Sequence, residues 1–250
     1  MDIRLEKIIE LNKKLSEKVK VSLPLIITSL QKTKFQRTGK ALISFTARSN
    51  ALNNSILNSC INGDIYSAWV TFRPMIEHNF RHLYIYTKAL KEDSDSIGSI
   101  YYGVLKSSED LDSLNKINNY NDATGLTKTK WNTGGQHNAS IKNDAKEFNI
   151  EKIFYYLISN SSSDEIIKTY TKEYLQKKLI DYTNLSSAVH GGPFSDIALD
   201  DVYKDQDKLN NLIYKYAEDS FTLHNSLVTA TYLFAYTMDE SMKEYYEEIK

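Results

Sequence analysis

The sequence has few of the residues that build tight turns, disulfide frameworks and membrane spans. Its 250 residues include 9 Gly and 3 Pro, which is few for a β-rich protein with many turns. Cys60 is the only cysteine, and this excludes an internal disulfide framework. No apolar run approaches the roughly 20 residues that a membrane span needs, and the charged N-terminal stretch lacks the apolar core of a signal peptide. We therefore expect a cytoplasmic protein with no membrane partner.

The sequence also lacks a strong net charge and the spacing of a metal site. The formal net charge is -1, so no global positive field draws the chain to nucleic acid, although local basic patches are compatible with this value. Cysteine and histidine are not spaced as in a structural zinc site, and no phosphate loop or cofactor signature is present. We predict that the chain uses no metal and no cofactor.

What the sequence does contain is helical periodicity over most of its length. Apolar residues recur at helical spacing, which predicts an all-α fold: a single domain, 1–250, formed by a bundle of long antiparallel helices. Ser22 with Pro24 predicts a break after the first helix. The segment from about 118 to 146 shows no clear period and predicts an irregular insertion, either a mobile surface loop or an active-site lid.

Capping residues predict where two of the long helices begin. Asn62 and Gly63 end one helix, and Asp64 is placed as the N-cap of the next, so these two helices should pack as an antiparallel hairpin. The last long helix is predicted over 205–237.

The stretch 63–86 predicts a central amphipathic helix with charge at the edge of its apolar face. Arg73 falls at the border of that face and Glu77 lies one turn later, so the two are expected to be half-buried side by side as an i,i+4 pair. His78 projects to the opposite side and is expected to meet solvent or a partner. Pro74 predicts a kink in this turn.

A second polar edge is predicted on the helix that ends near Val189. Ser186 and His190 border its apolar stripe, and Tyr182 lies on the same face. His190 falls in the last turn, where the helix dipole favours a protonated imidazole. Local pattern leaves two roles open for His190, a catalytic group or a simple cap of the helix.

Two blocks of the sequence resemble a known family. The block NGDIYSAWVTFRPMIEHNFRHLYIY has a small residue or Gly, then Ala, then Arg followed four residues later by Glu, then a Tyr-rich helix end. Together with YTNLSSAVHGG downstream, it resembles the DUF5677-type helical proteins, which in turn resemble the HEPN superfamily. The matching blocks are 52–86 and 181–193, about a fifth of the chain.

The resemblance implies a helical bundle that forms a homodimer and belongs to a bacterial toxin or phage-defence system. Active HEPN proteins cut RNA without a metal, using an Arg and a His separated by four to six residues. In this sequence RPMIEH supplies Arg73 and His78 at that spacing. An ideal helix points these two side chains about 140° apart, so Arg73 with His190 is the alternative catalytic pair.

Four further residues would support this chemistry. Glu77 is expected to orient Arg73 or His190, as carboxylates behind catalytic histidines do. Tyr182 and Ser186 share the face of His190, and two roles stay open for them: they contact a phosphate of the RNA or merely hydrogen-bond the buried edge. Arg81 is a further candidate for contacting the RNA substrate.

A non-enzymatic hypothesis remains beside the nuclease. Arg73, Glu77 and His190 would then form a buried polar network in a scaffold or regulatory protein. Its Tyr-rich surface, drawn from 18 Tyr, would bind a partner protein of the same defence or toxin system. A basic groove near Arg73 favours the nuclease, and an apolar or acidic surround favours the scaffold.

Overall fold

Helices build the whole of the described structure. The computed structural model describes residues 3–125, 130–160, 165–190 and 193–250, and these ranges contain no β-strand. The predicted all-α class is confirmed. The α-helices are α1 (Ile3–Leu30), α2 (Gln36–Ile61), α3 (Ile65–Glu92), α4 (Ser96–Ile100), α5 (Lys106–Thr124), α6 (Gln136–Ala145), α7 (Ile150–Ser159), α8 (Glu165–Val189), α9 (Pro193–Tyr203), α10 (Gln206–Met238) and α11 (Lys243–Ile249). A π-helix (Tyr101–Leu105) joins α4 to α5, and none of the described helices is long and apolar enough to cross a membrane.

The core lies where α2, α3 and α10 pack together, with α1 and α8 against them. Large aromatic side chains from these helices are fully buried there, and several meet edge to face. Burial of this much aromatic surface is the main favourable term holding the bundle together. Within this core α3 packs against α2, α10, α8 and α7.

The predicted hairpin of α2 and α3 is confirmed. Gly63 has a φ of 70°, which glycine adopts without strain, and it reverses the chain between the two helices. The Asp64 carboxylate accepts a hydrogen bond from the Ser67 N–H at 3.0 Å and so caps α3. Asp205 caps α10 in the same way, accepting from the N–H groups of the first turn.

The predicted break at Ser22 and Pro24 is wrong, because α1 continues through both residues to Leu30. Ser22 Oγ donates to the Lys18 carbonyl and also pairs with the Tyr232 hydroxyl at 2.7 Å, which ties this turn to α10. Buried apolar side chains beyond the proline offset its cost of about 3 kcal/mol. α3 likewise runs without interruption through Pro74.

The segment predicted to be irregular, 118–146, is mostly helical where the structure describes it. α5 extends to Thr124 and α6 occupies Gln136–Ala145. These helices bury few side chains, so the apolar period that would predict them is weak. Between them the Trp131 backbone is held by Asn118, whose side chain donates to the Trp131 carbonyl at 2.8 Å and accepts from its N–H at 2.9 Å. A role as a lid remains a prediction.

Candidate functional site

Arg73 on α3 reaches across to α8 and is held there by two hydroxyl groups. Its Nε donates to Ser186 Oγ at 3.0 Å, and its Nη2 donates to the Tyr182 hydroxyl at 2.9 Å. The guanidinium carbon lies 4.6 Å from the centre of the Tyr182 ring, so the ring also contacts the cation through its π face. Arg73 is half-buried. The sequence predicted Tyr182 and Ser186 on one face, and the structure places both against Arg73.

The hydroxyls are arranged to receive these hydrogen bonds. Ser186 Oγ donates its own proton to the Tyr182 carbonyl at 2.9 Å, which leaves its lone pairs for Arg73 Nε. These contacts use Nε and Nη2 of a guanidinium that carries five N–H donors in all. Among the described residues no hydrogen bond from Nη1 is formed, so this nitrogen is the one that would bind an oxyanion. A guanidinium fixed in this way is pre-organised for a carboxylate or phosphate.

His190 lies just beyond the last turn of α8, on the side of Ser186. Its backbone N–H donates to the Ser186 carbonyl at 3.2 Å, and its side chain is exposed. The exposed imidazole therefore sits about one helical turn from the residue that binds Arg73. The pairing of the Arg73 and His190 side chains remains a prediction. The predicted end of this helix near Val189 is confirmed, and residues 191 and 192 lie outside the described residues.

The expected Arg73–Glu77 pair is wrong. Glu77 Oε1 instead pairs with Arg81 Nη2 at 2.7 Å, and both side chains are about one-fifth exposed, 21% and 20%. A Glu that lies four residues before an Arg has the favourable i,i+4 orientation, whereas Arg73 before Glu77 has the reverse one. Arg73 also finds two hydroxyl acceptors on α8. Glu77 thus orients Arg81 rather than Arg73.

His78 was expected to meet solvent or a partner. Instead its side chain is half-buried and packs against α2. Its ring lies edge to face with Phe45, with 5.7 Å between ring centres. Burial, and then the nearby charges of Arg48 and Arg81, lower the pKa of His78 to about 4. Because α3 is continuous, Arg73 turns to α8 while His78 turns to α2. One chain therefore does not bring this Arg–His pair together.

The sequence analysis missed two groups of polar residues. Arg48 on α2 stacks over Phe45 and donates to the Tyr101 hydroxyl at 2.9 Å, next to His78. Lys178 on α8 is only 6% exposed; its Nζ donates to Asp219 at 3.2 Å and lies 3.8 Å from Asp181. The sequence held one signal for the ion pairs of Lys178: this residue falls in the apolar stripe of α8, where a buried lysine needs an acidic partner.

The helices that carry Arg73 and its partners, α3 and α8, bear both basic and acidic side chains, so this charge pattern alone does not select between nuclease and scaffold. Arg81 and Lys178 lie near Glu77, Asp181 and Asp219. The described residues contain no group of three or more His, Cys, Asp or Glu side chains that could hold a metal ion.

Comparison of this chain with protein-family models, with curated proteins and with solved structures finds no match in any of the three. The site geometry and the sequence resemblance are thus the basis for proposing a function.

Proposed function

We propose that the chain is a metal-independent RNA endonuclease of HEPN-like type, acting as a homodimer in a bacterial defence or toxin system. The observation that carries the proposal is the guanidinium of Arg73, which is held by Tyr182 and by Ser186, while Ser186 lies one turn of α8 before the exposed His190. A fixed cation beside an exposed imidazole is what phosphodiester transfer requires.

The reaction uses the ribose 2′-hydroxyl as the nucleophile. The neutral imidazole of His190 takes the hydroxyl proton while the 2′ oxygen bonds to phosphorus and the bond from phosphorus to the 5′ oxygen breaks. Arg73 stabilises the negative charge that grows on the phosphoryl oxygens. A protonated His190 from the second copy of the dimer gives its proton to the departing 5′ oxygen. The products are a 2′,3′-cyclic phosphate and a free 5′-hydroxyl.

The remaining residues support this reaction in assigned places. Tyr182 and Ser186 hold Arg73 and lie beside the phosphate that it binds. Arg81, fixed by Glu77, lies two turns along α3 from Arg73, a rise of about 12 Å, and contacts a neighbouring phosphate of the same strand.

The test is cleavage of end-labelled single-stranded RNA, tRNA and total RNA by the purified chain in the presence of EDTA. Arg73→Gln should slow cleavage about 10²-fold or more, because it removes a donor to the developing oxyanion. His190→Asn should slow it by a similar factor because it removes the general base. Arg37→Gln and His137→Asn are matched controls, since they remove an exposed Arg and an exposed His elsewhere.

The product ends give a second, independent readout. Cleavage should leave a 2′,3′-cyclic phosphate, and a single 2′-deoxy substitution should block cleavage at that position alone. A folded wild type that neither binds nor cleaves any of these RNAs would overturn the proposal. Products that end in a 3′-hydroxyl would overturn the mechanism.

One observation also favours the scaffold. The hydrogen bonds of Arg73 to Tyr182 and Ser186 form a cross-link between α3 and α8, which a purely structural arginine would also make. For a scaffold, Arg73→Gln lowers the free energy of unfolding by about 1.5 to 3 kcal/mol, the usual contribution of a charged hydrogen bond, and leaves RNA binding unchanged. The nuclease would lose the same hydrogen bonds, so urea unfolding shows that the variant is folded, and RNA binding by the folded variant separates the two functions.

A further inference from the structure

Positive charge converges on His78 from two helices, on the side of α3 opposite to Arg73. Arg48 on α2 and His78 on α3 pack on the same ring, that of Phe45, at 5.0 Å from the guanidinium carbon and 5.7 Å from the imidazole centre. Arg81 follows His78 by three positions on α3, which places it on a neighbouring part of the same helix face. Arg48 is exposed, while His78 and Arg81 are half-buried, so the cluster runs from the surface of α2 toward the α2–α3 interface. Glu77, paired with Arg81, is the acidic group that accompanies them. The cluster keeps one positive charge in excess.

Two nitrogen atoms in this cluster have no hydrogen-bond partner in the described part of the chain, although both are buried. They are His78 Nδ1 and Arg81 Nε. A buried polar atom left without a partner is unfavourable, and native proteins keep few of them. A ligand with oxygen atoms would satisfy Arg81 Nε directly, and would satisfy His78 Nδ1 when that nitrogen carries a proton.

The π-helix Tyr101–Leu105 packs beside the cluster, in addition to α2 and α3. Its first two residues both turn toward α2, where the Tyr101 hydroxyl accepts from Arg48 and the Tyr102 hydroxyl pairs with Ser44 at 3.0 Å. π-helical turns are rare and occur frequently at functional sites. Here the wide turn fixes the guanidinium of Arg48, which also stacks over Phe45 at 5.0 Å.

The donors suit a tetrahedral oxyanion. Two guanidinium groups and an imidazole present N–H donors from different directions, and arginine binds phosphate oxygens through paired N–H groups. A phosphate offers several oxygens and a charge that offsets the two arginines. A carboxylate, which is planar and carries two oxygens, would satisfy fewer of these donors.

We infer that Arg48, His78 and Arg81 form a phosphate-binding site that holds a backbone phosphate of the RNA strand. This inference rests on the function proposed above and gives His78 a role in binding. Arg81 lies on α3 between the Arg73 edge and the His78 edge, so a single strand that crosses α3 meets Arg73, Arg81 and then Arg48. RNA is the ligand favoured here because Arg73 and this cluster are presented by the same helix.

The first experiment follows the imidazole of His78 by NMR in the full chain labelled at histidine, with the signal assigned by its loss in His78→Gln. Inorganic phosphate is the probe. The His78 signal should shift saturably with phosphate, and the pKa of His78 should rise from about 4 because a bound anion favours the protonated ring. Both effects should weaken in Arg48→Gln.

The second experiment measures affinity for a short single-stranded RNA as a function of salt. Arg48→Gln should weaken binding about tenfold and reduce the slope of log K against log salt by about 0.7, the loss of one phosphate contact on a single strand. Lys40→Gln is the matched control. Lys40 is also an exposed cation on α2, and its Nζ lies over a tyrosine of the π-helix, 5.2 Å from the Tyr102 ring centre. The Lys40→Gln variant should bind RNA as the wild type does.

The outcomes separate this inference from the proposed nuclease. If RNA is bound and cleaved equally well by Arg48→Gln and Lys40→Gln, the phosphate site is overturned and the nuclease stands. If phosphate shifts the His78 signal but the wild type binds no RNA, RNA is excluded as the ligand and a small phosphate compound takes its place. A His78 signal that phosphate leaves unmoved overturns the site itself.

Discussion

The buried histidines should make the stability of this protein fall steeply in mild acid. His82 is fully enclosed, with Nε2 3.0 Å from Thr231 Oγ1, and His224 is buried with Nδ1 3.1 Å from Ser49 Oγ. Burial lowers the pKa of His82 to about 3 and that of His224 to about 4. Together with His78, three histidines are neutral in the folded chain at a pH where the unfolded chain protonates them.

Proton linkage gives the direction and the size of this change in stability with pH. Between the folded pKa and the ordinary value of 6.5, the unfolded chain binds more protons than the folded one, so stability is lost as the pH falls. From about pH 7.5 to about pH 5.5, each such histidine lowers the free energy of unfolding by about 1.3 kcal/mol, or about 4 kcal/mol for the three. That is a large part of the roughly 5 to 15 kcal/mol by which native domains are stable.

The assay is equilibrium urea unfolding at the two pH values, followed by the helical circular dichroism signal. His82→Gln and His224→Asn keep a nitrogen near the position that contacts Thr231 or Ser49, and neither side chain titrates. Each variant should lower stability at about pH 7.5 and show about 1.3 kcal/mol less loss on acidification than the wild type. Equal unfolding free energies of the wild type at both pH values, or variants with its full pH dependence, would refute the reasoning.

Two packing predictions follow from the same structure. Gly98→Ala should lower the free energy of unfolding by about 2 kcal/mol or more, because a Cβ there would lie 2.3 Å from the Thr38 backbone nitrogen; Gly103→Ala, which meets nothing within 4 Å, should have little effect. Lys178→Met should cost about 2 kcal/mol or more because it removes a cation that is 6% exposed from Asp181 and Asp219, which are 21% and 23% exposed. Lys215→Met, at a site 40% exposed, should cost less than about 1 kcal/mol. Urea unfolding measures all four variants, and similar losses within either pair would contradict the burial argument.

Much of the helical framework is predictable from the sequence because its signals are local. Asp64 and Asp205 cap helices through hydrogen bonds to residues two or three positions later, so the sequence alone contains both partners. The long apolar stripes of α3 and α10 likewise mark their buried faces. Pro24 misled the prediction because its cost is local, whereas the tertiary contacts that offset it come from α10.

The partners of the charged residues were harder to predict, because they come from distant parts of the chain. Helical geometry places Arg73 at an edge, but its choice of Tyr182 and Ser186 over Glu77 depends on α8 packing beside α3, more than 100 positions later. The predicted exposure of His78 was wrong for the same reason. Its side of α3 looks polar in sequence, yet α2 covers it and supplies Arg48 and Phe45.

The continuity of α3 through Pro74 decides how its polar residues can act together. A broken helix could swing Arg73 and His78 toward one phosphate, but a continuous one holds them on opposite edges, each fixed by a different neighbour. The Glu77–Arg81 pair occupies the surface between these edges. Arg73 and His78 therefore do not converge on one point within the chain. For the reaction proposed above, this leaves His190, which is exposed and follows Ser186 by one turn of α8, as the histidine that we propose for proton transfer.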